Sequence, residues 1–549
     1  MSQIIIPMSG IGKRFLEAGY KRPKSLINVE GKPVIAHVIN MFPGEKNFVF
    51  ICNKEHLKNT NMVDILNEYC PNGKIVPIDP HKKGPVYAVS KIYNLIEEKE
   101  SVIINYCDFT CYWDYKHFKQ WVNKSEADGC IPAYKGFHPH SLWNNNYAFI
   151  REEGGWVNAI KEKESFTKNK INEYASSGTY YFSKGLFVKK FFDKLMSKNI
   201  NINNEFYCSL VFNLMIKEKL SINIYELQHF MQWGTPQDLH EYENWSNTFR
   251  NLINPKNKIN SQELPGTILI PMAGHGSRFK KEGYVNPKPF INVSSLPMFL
   301  QAALSLPKAK NYQFIIQEDY YYKIKNLANL VNKKIPNASF LSINNVPDGQ
   351  AKTCHLFTKT LDENECLTIS ACDHGVIFDS NKFNELLLDS EIDIIIWAKR
   401  NHNEAIRNPQ MYGWIENGNK FIKKVSVKKP FNSSKNNPII IGTFTFKKCK
   451  FFNNAAESLF KRNGRVNNEF YVDSLINDAI KIGYKCAIFE VDHFICWGTP
   501  NELKTYQYWQ SCFHKWDSHP YSLDKDNWVD NKQEEKNQVF KFIPADLHK

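Results

Sequence analysis

Ile4-Ile-Ile-Pro-Met-Ser-Gly-Ile-Gly-Lys-Arg-Phe15, followed by Pro23-Lys24, decides how this chain is read. The apolar run Ile4 to Ile6 predicts a buried strand. It leads into a loop with Gly10 and Gly12, then Arg14, with Lys24 ten residues further on. Glycines let a loop turn successive backbone N–H groups inward, and such a nest binds phosphate oxygens. Arg14 and Lys24 add positive charge beside it. The device occurs again as Ile268-Leu-Ile-Pro-Met-Ala-Gly-His-Gly-Ser-Arg-Phe279, then Pro287-Lys288. Gly274, Gly276, Arg278 and Lys288 thus repeat the first set. A single Gly-x-Gly-x-Arg loop fits an ordinary strand-to-helix turn equally well. Two copies with the same Pro-Lys tail point to phosphate binding.

Downstream, strands and helices alternate. Phe48 to Cys52 predicts a strand, Asn61 to Tyr69 a helix and Lys74 to Pro77 a short strand. Gly84 opens a predicted helix over Val86 to Ile96, with an apolar stripe at Val86, Val89, Ile92 and Ile96. Val102 to Tyr106 predicts the next strand, and Asp108 stands at its carboxyl end. This order predicts an α/β fold with a mostly parallel central sheet flanked by helices. Ligands of such sheets bind beyond the carboxyl ends of the strands, so Gly10, Gly84 and Asp108 are expected to converge.

A polar stretch from Asn254 to Glu263 precedes the second copy. From there the spacing is nearly constant: Gly274 follows Gly10 by 264 residues and Asp373 follows Asp108 by 265. Asn467-Asn-Glu-Phe-Tyr471 follows Asn203-Asn-Glu-Phe-Tyr207 by 264, as Trp497-Gly-Thr-Pro500 follows Trp233-Gly-Thr-Pro236. A constant offset over so long a span predicts two tandem domains, 1–250 and 265–515, joined by a linker at 251–264. Residues 516–549 have no counterpart in the first half and are expected to form a tail, packed down by Trp528 and Phe540 to Phe542.

Composition sets limits. The 549 residues suffice for several sizeable cores. No apolar run approaches the roughly 20 residues that span a bilayer. The early apolar run is the strand that carries the loop, so no secretory signal is read and a cytoplasmic location is expected. The 13 cysteines are scattered without a C-x-x-C pair, which argues against zinc and against a disulfide framework. The net charge of +14 is spread as lysine among asparagine rather than in a basic block, so no nucleic-acid partner and no membrane insertion are expected.

The ordered set of Gly-x-Gly-x-Arg-Phe, Pro-Lys, a strand-end Asp, Glu162-Lys163, Gly178-Thr179, Asn-Glu-Phe-Tyr and Trp-Gly-Thr-Pro resembles the nucleotidyltransferase superfamily. Sugar-phosphate nucleotidyltransferases (NDP-sugar pyrophosphorylases) and choline-phosphate cytidylyltransferases belong to it. The resemblance covers roughly 1–245 and 265–512. Gly349-Gln-Ala351, Ala371-Cys-Asp-His374, Lys428-Lys-Pro430, Gly136-Phe-His-Pro-His140 and Glu173 to Gly178 resemble members from capsule and lipopolysaccharide gene clusters. The resemblance implies transfer of a nucleoside monophosphate from an NTP to a phosphorylated acceptor, with release of pyrophosphate, using Mg²⁺. It implies a triphosphate site at Gly10, Gly12, Arg14 and Lys24, repeated at Gly274, Gly276, Arg278 and Lys288. Gly84 and Gly349 are expected beside the base, Asp108 and Asp373 on the metal. Lys163, Gly178 and Glu205, with Lys428, Gly442 and Glu469 in the second half, are expected on the acceptor.

This residue set suits the chemistry. Two anions must meet, and phosphoryl-type transfer asks for positioning and charge neutralisation more than covalent work. Backbone donors, an Arg, two Lys and a carboxylate for a hard cation supply that. Each residue also has a plainer reading. Asp108 could cap a helix, Lys163 lies in the charged run Lys161 to Glu164, Glu205 and Glu469 could be first-turn acids, and His138 and His140 could be core histidines. Two departures stand out. Relatives usually carry a second metal aspartate two residues before the glycine of Gly-Thr-Pro, where this chain has Gln232 and Cys496; and Val427 stands where Glu162 stands. Three readings stay open: a bifunctional nucleotidyltransferase, a glycosyltransferase of the related nucleotide-diphospho-sugar fold, and one active half beside a degenerate regulatory or dimerising one. The base, the acceptor and the oligomeric state are not legible.

Overall fold

A computed structural model describes residues 2–142, 147–254, 263–431 and 437–539. It divides into two units. The first comprises Met1–Asn247 and Tyr508–Pro520, the second Thr248–Gln507 and Tyr521–Asn537. These boundaries differ from the sequence-based ones. The helix Pro236–Leu252 has no breaker at residue 250 and runs on across the boundary. Most of the expected linker, 255–262, lies outside the described residues.

The expected tail is part of the cores. Trp516 packs against His37 and Trp233 in the first unit, with ring centroids 5.3 and 6.0 Å away. Trp528 packs on Trp497 at 6.1 Å in the second. Phe540 to Phe542 lie outside the described residues.

The first unit is built on a ten-stranded sheet, counted among the described residues. Gln3–Met8 lies between Phe48–Asn53 and Val102–Asn105, parallel to both. Lys74–Ile78 extends the sheet in parallel beyond Phe48–Asn53. Ile4, Ile5 and Ile6 are fully buried, each contributing about 1.5–3 kcal/mol by leaving water. Past Val102–Asn105 the sheet becomes mixed. Thr179–Phe182 is antiparallel to it, and Ala148–Glu153 and Trp156–Glu162 form a hairpin. Gly154 and Gly155 both have positive φ (58° and 84°), as a tight hairpin turn demands. Parallel pairing is therefore mainly a property of the strands that carry the glycine loop and Asp108.

The predicted helix at Val86 to Ile96 is shorter than its stripe implies. An α-helix spans Gly84–Ser90, and a 3₁₀ turn follows at Tyr93–Leu95. Ser90 Oγ donates to Tyr87 C=O at 2.8 Å, and the next N–H groups bond three residues back, which tightens the helix end. Val86, Val89, Ile92 and Ile96 are nevertheless all buried.

The second unit has a nine-stranded sheet among the described residues. Leu264–Pro271 lies between Ala309–Gln317 and Leu367–Ser370, parallel to both, and Ile439–Phe446 continues the sheet antiparallel to Leu367–Ser370. The helix Val472–Ile482 buries Val472, Leu475, Ile476 and Ala479 in the core beside it.

One close approach shapes each unit. Gly84 has φ 81°, and a Cβ there would stand 2.7 Å from the backbone N and O of Phe206. Phe206 N–H donates to Lys83 C=O, and Val86 N–H to Phe206 C=O. The Asn203-Asn204 turn presents this segment. Both residues are left-handed (φ 52° and 63°), and Ile202 and Glu205 exchange backbone bonds across them. Gly349 meets Phe470 in the same way, at 2.5 and 2.6 Å, with Asn467 and Asn468 left-handed. We expect Gly84→Ala to destabilise the first unit by about 1–3 kcal/mol, since both the backbone conformation and the close approach would be strained. A urea denaturation midpoint equal to wild type would contradict this.

Candidate active site

In the first unit one cavity of about 750 Å³ gathers the site residues expected from sequence. Gly10, Gly12, Arg14, Lys24, Gly84, Asp108, Lys163, Gly178 and Glu205 all line it. Five cations and three carboxylates face it, counting Lys13, Lys82 and Glu162 with those just named. The glycine loop opens toward it: a Cβ at Gly10 or Gly12 would meet nothing within 4 Å. Gly12 is left-handed, φ 69°, and stands just before the short helix Lys13–Glu17, whose Arg14 is exposed.

Lys24 and Asp108 form the centre. Lys24 Nζ donates to Asp108 Oδ2 at 2.6 Å, with both side chains less than a third exposed. Burial alone would lower the lysine pKa, but the Asp108 charge and hydrogen bond outweigh it and raise it above the ordinary value. Asp108 follows the strand end rather than capping a helix. Its carbonyl accepts from Trp233 N–H at 2.9 Å, which ties the Trp-Gly-Thr-Pro stretch to the site. A Cβ on Gly234 would stand 3.1 Å from Asp108 Oδ2, so a side chain there would push the carboxylate aside by a few tenths of an ångström. Thr235 then starts the helix by accepting from Asp238 N–H.

Lys163 is left-handed, φ 60°, and its Nζ donates to Tyr207 Oη at 2.6 Å. Tyr207 in turn donates to Glu205. Glu205 is therefore not a first-turn acid, because the helix starts at Cys208. The sequence does not single out Tyr207, although it closes the repeated Asn203 to Tyr207 stretch. Glu162 also lines the cavity, and burial raises its carboxyl to about 7 against the pull of Ser209 and Lys163.

The second unit has a smaller cavity of about 420 Å³, lined by Gly274, Gly276, Arg278, Lys288, Gly349, Asp373 and Glu469. Here two cations face two carboxylates. Lys288 donates to Asp373. Burial would raise the Asp373 carboxyl, but the Lys288 charge takes it below the ordinary range. Trp497 N–H donates to Asp373 C=O at 2.8 Å. Lys428 and Gly442 are not among the lining residues. Lys428 reaches the cavity through Tyr471, to which its Nζ donates at 2.7 Å; it too is left-handed, φ 57°. Gly442, φ 82°, holds the strand end instead, its carbonyl accepting from Ala371 N–H.

The histidines of Phe137 to His140 serve packing. Both are buried, and His138 Nδ1 lies 3.1 Å from Tyr508 Oη. His140 packs against Tyr134 and Phe230. Neither lines the large cavity.

Mg²⁺ keeps several waters and binds through one or two carboxylates plus substrate phosphates. Asp108, on a cavity lined by the glycine loop, fits that requirement. Among the described residues no group of three or more His, Cys, Asp or Glu could hold an ion by itself. Gln232 adds no charge, and its Nε2 lies 3.4 Å from Asp238 Oδ2. In the second unit Cys496 stands beside Glu502, which also accepts from Tyr412 at 3.0 Å.

Residues 3–244 match the family model described as nucleotidyl transferase. No curated relative matches the chain. Among solved structures it is similar to the nucleoside-diphosphate-sugar pyrophosphorylase from Vibrio cholerae RC9, at 18% identity and TM-score 0.36, covering 44% of this chain and 98% of that one. It is also similar to the inositol-1-phosphate CTP transferase from T. maritima, at 16% identity and TM-score 0.36, covering 45% and 96%. A third is the CTP:phosphocholine cytidylyltransferase from Streptococcus pneumoniae, at 16% identity and TM-score 0.35, covering 44% and 97%.

Two measurements test this geometry. Lys24→Met should leave Asp108 without its cation and cost roughly 1–3 kcal/mol of stability, which Asp108→Asn in the same chain should partly restore. Additive losses in that double-mutant cycle would mean the pair is not coupled. Burial pushes His138 down to about 3, so the unfolded chain takes up its proton first, near 6.5. Stability should therefore fall as pH drops from about 6.5 toward 3, and His138→Phe should flatten that slope by up to about 1.4 kcal/mol per pH unit. An unchanged slope in urea titrations would refute the buried neutral imidazole.

Proposed function

We propose that this chain, whose residues 3–244 match a nucleotidyl transferase family model, transfers a nucleoside monophosphate from an NTP to a phosphorylated acceptor, a sugar phosphate or a phospho-alditol or choline-like phosphate. The observation that carries the reading is the single cavity joining the glycine loop, Arg14, Lys24, Asp108 and Lys163. Its volume of about 750 Å³ suits a nucleotide with a second small molecule.

The acceptor's own phosphate oxygen attacks the α-phosphorus of the NTP. A new P–O bond forms, the bond to the β-phosphate oxygen breaks, and pyrophosphate leaves with the electron pair. The backbone N–H groups around Gly10 and Gly12, with Arg14, hold the triphosphate. Lys24, kept charged by Asp108, neutralises the α-phosphoryl oxygens. Lys163, steadied by Tyr207 and Glu205, holds the acceptor phosphate and screens it from the triphosphate. Asp108 would hold a Mg²⁺, which would supply further positive charge against the phosphates. Gly84 stands where the backbone beside it would meet the base.

We assign the second unit the same chemistry on a different acceptor. Its glycine loop, Arg278, Lys288 and Asp373 line one cavity, and Lys428, Tyr471 and Glu469 repeat the acceptor-side chain. The smaller cavity with balanced charge favours one other reading, in which this unit regulates the first. The resemblance to capsule and lipopolysaccharide relatives supports a role in surface-polysaccharide precursor synthesis, in the cytoplasm where NTP is supplied. No helix among the described residues is long and apolar enough to cross a membrane.

A pyrophosphate-release screen of NTPs against sugar and alditol phosphates is the direct test. Release should need Mg²⁺ and an acceptor, and Arg14→Ala should lower first-domain turnover by about 10²–10³-fold. Asp108→Asn and Asp373→Asn should each abolish one activity and spare the other. NDP-sugar turnover without NTP would support the glycosyltransferase instead. Full activity in Asp373→Asn would make the second unit non-catalytic.

A further inference from the structure

An asparagine clamp fixes the same strand-to-helix register in each unit. Asn213 on the helix Cys208–Lys217 accepts from Ile160 N–H at 3.0 Å and donates to Ile160 C=O at 2.8 Å. Asn477 on Val472–Ile482 does the same to Val425, at 2.9 and 2.8 Å. Two residues along the strand from the clamp stands Glu162 in the first unit and Val427 in the second. Four residues back along the helix stands Ser209 in the first and Asp473 in the second. The strand partner of Glu162 is Ala148, and that of Val427 is Gly413.

Three facing positions therefore differ together: Ala148, Glu162 and Ser209 against Gly413, Val427 and Asp473. In the first unit the carboxyl comes from the strand, and Ser209 Oγ donates to it at 2.5 Å. In the second it comes from the helix. A Cβ on Gly413 would overlap the Asp473 carboxylate, so the loss of the alanine methyl makes the room that Asp473 occupies. One carboxyl is kept while its carrier changes sides. The neighbouring cation is kept as well: Lys163 and Lys428 share the left-handed backbone and the bond to Tyr207 or Tyr471. Burial raises Asp473 to about 6, with its own backbone N–H and Lys428 opposing.

We propose that Asp473 is the acceptor-binding carboxylate of the second unit, and that its acceptor is a polyol phosphate: a phosphate ester with hydroxyl donors close to the phosphate. This rests on reading the second unit as a nucleotidyl-transfer site. A carboxylate only accepts hydrogen bonds, and the Lys428 charge assigned to the acceptor phosphate acts on Asp473, so the ligand group beside that phosphate must donate; neither residue is among those lining the 420 Å³ cavity itself. Coming from the helix, and one methylene shorter than Glu162, Asp473 meets the hydroxyls from another direction. The two units then select different polyols.

The test uses the full chain carrying Lys163→Ala, which weakens phosphate binding in the first unit. Hexose 1-phosphates, alditol phosphates, phosphocholine and inorganic phosphate are titrated by calorimetry. At least one polyol phosphate should bind about tenfold or more tighter than inorganic phosphate. Asp473→Asn should remove most of that preference and change inorganic phosphate binding less than twofold. The triple exchange Gly413→Ala, Val427→Glu, Asp473→Ser rebuilds the first unit's arrangement; it should restore polyol binding with a changed order of preference, and thermal melting checks that it folds. The proposal is overturned if Asp473→Asn keeps the preference, if inorganic phosphate weakens equally, or if phosphocholine binds in place of the polyols. Failure of the transfer reading would appear separately, as Asp473-dependent polyol binding with no pyrophosphate release from any NTP.

Discussion

Each site hangs on a lysine–aspartate pair at the end of a buried strand. Lys24 belongs to the segment that follows the glycine loop, and Asp108 to the end of a neighbouring strand, so their contact at 2.6 Å closes the loop over the sheet. Neither charge is well solvated, and each makes the other tolerable: a lone buried lysine would tend to lose its proton. The Trp233 N–H on the Asp108 carbonyl brings the Gly-Thr-Pro turn to the same point. A side chain at Gly234 would crowd that carboxylate. Lys288, Asp373, Trp497 and Gly498 meet the same demands in the second unit.

The side proposed to hold the acceptor is organised by a different constraint. A left-handed Asn-Asn turn folds the following Glu-Phe-Tyr back against Gly84 or Gly349, and that approach admits no Cβ. The motif's tyrosine, Tyr207 or Tyr471, meets a lysine that is itself left-handed, Lys163 or Lys428. A non-glycine residue in that conformation is strained and persists where its surroundings hold it. The lysine ammonium is thus placed by backbone and phenol together, which fixes it more firmly than a flexible four-carbon stem would on its own.

The electrostatics separate the two cavities more sharply than their motifs do. The first presents five cations to three carboxylates, the second two to two. A polyanionic ligand gains most from the first. The second relies more on its glycine loop and the Lys288–Asp373 pair, and so on geometry more than on summed charge.

The linear chain by itself determined the α/β class, the glycine loops, the strand-end aspartates and the pairing of like positions between the halves. These depend on local period, on glycine's backbone freedom and on constant spacing, all of which are written along the chain. The expected meeting of Gly10, Gly84 and Asp108 on one cavity follows because strand-end residues of a parallel sheet share one edge. Other features depend on packing between distant segments. His138 and His140 could be read from sequence either as core histidines or as substrate contacts, and packing decides for the core, since what surrounds them comes from Phe230 and Tyr508. Residues after 516 look like a tail because their partners, Trp233 and Trp497, lie far back in the sequence. Val427 looks like a missing acid for the same reason. The carboxyl that replaces Glu162 sits on a helix 46 residues further along, at Asp473, and only the folded register of helix against strand sets the two side by side.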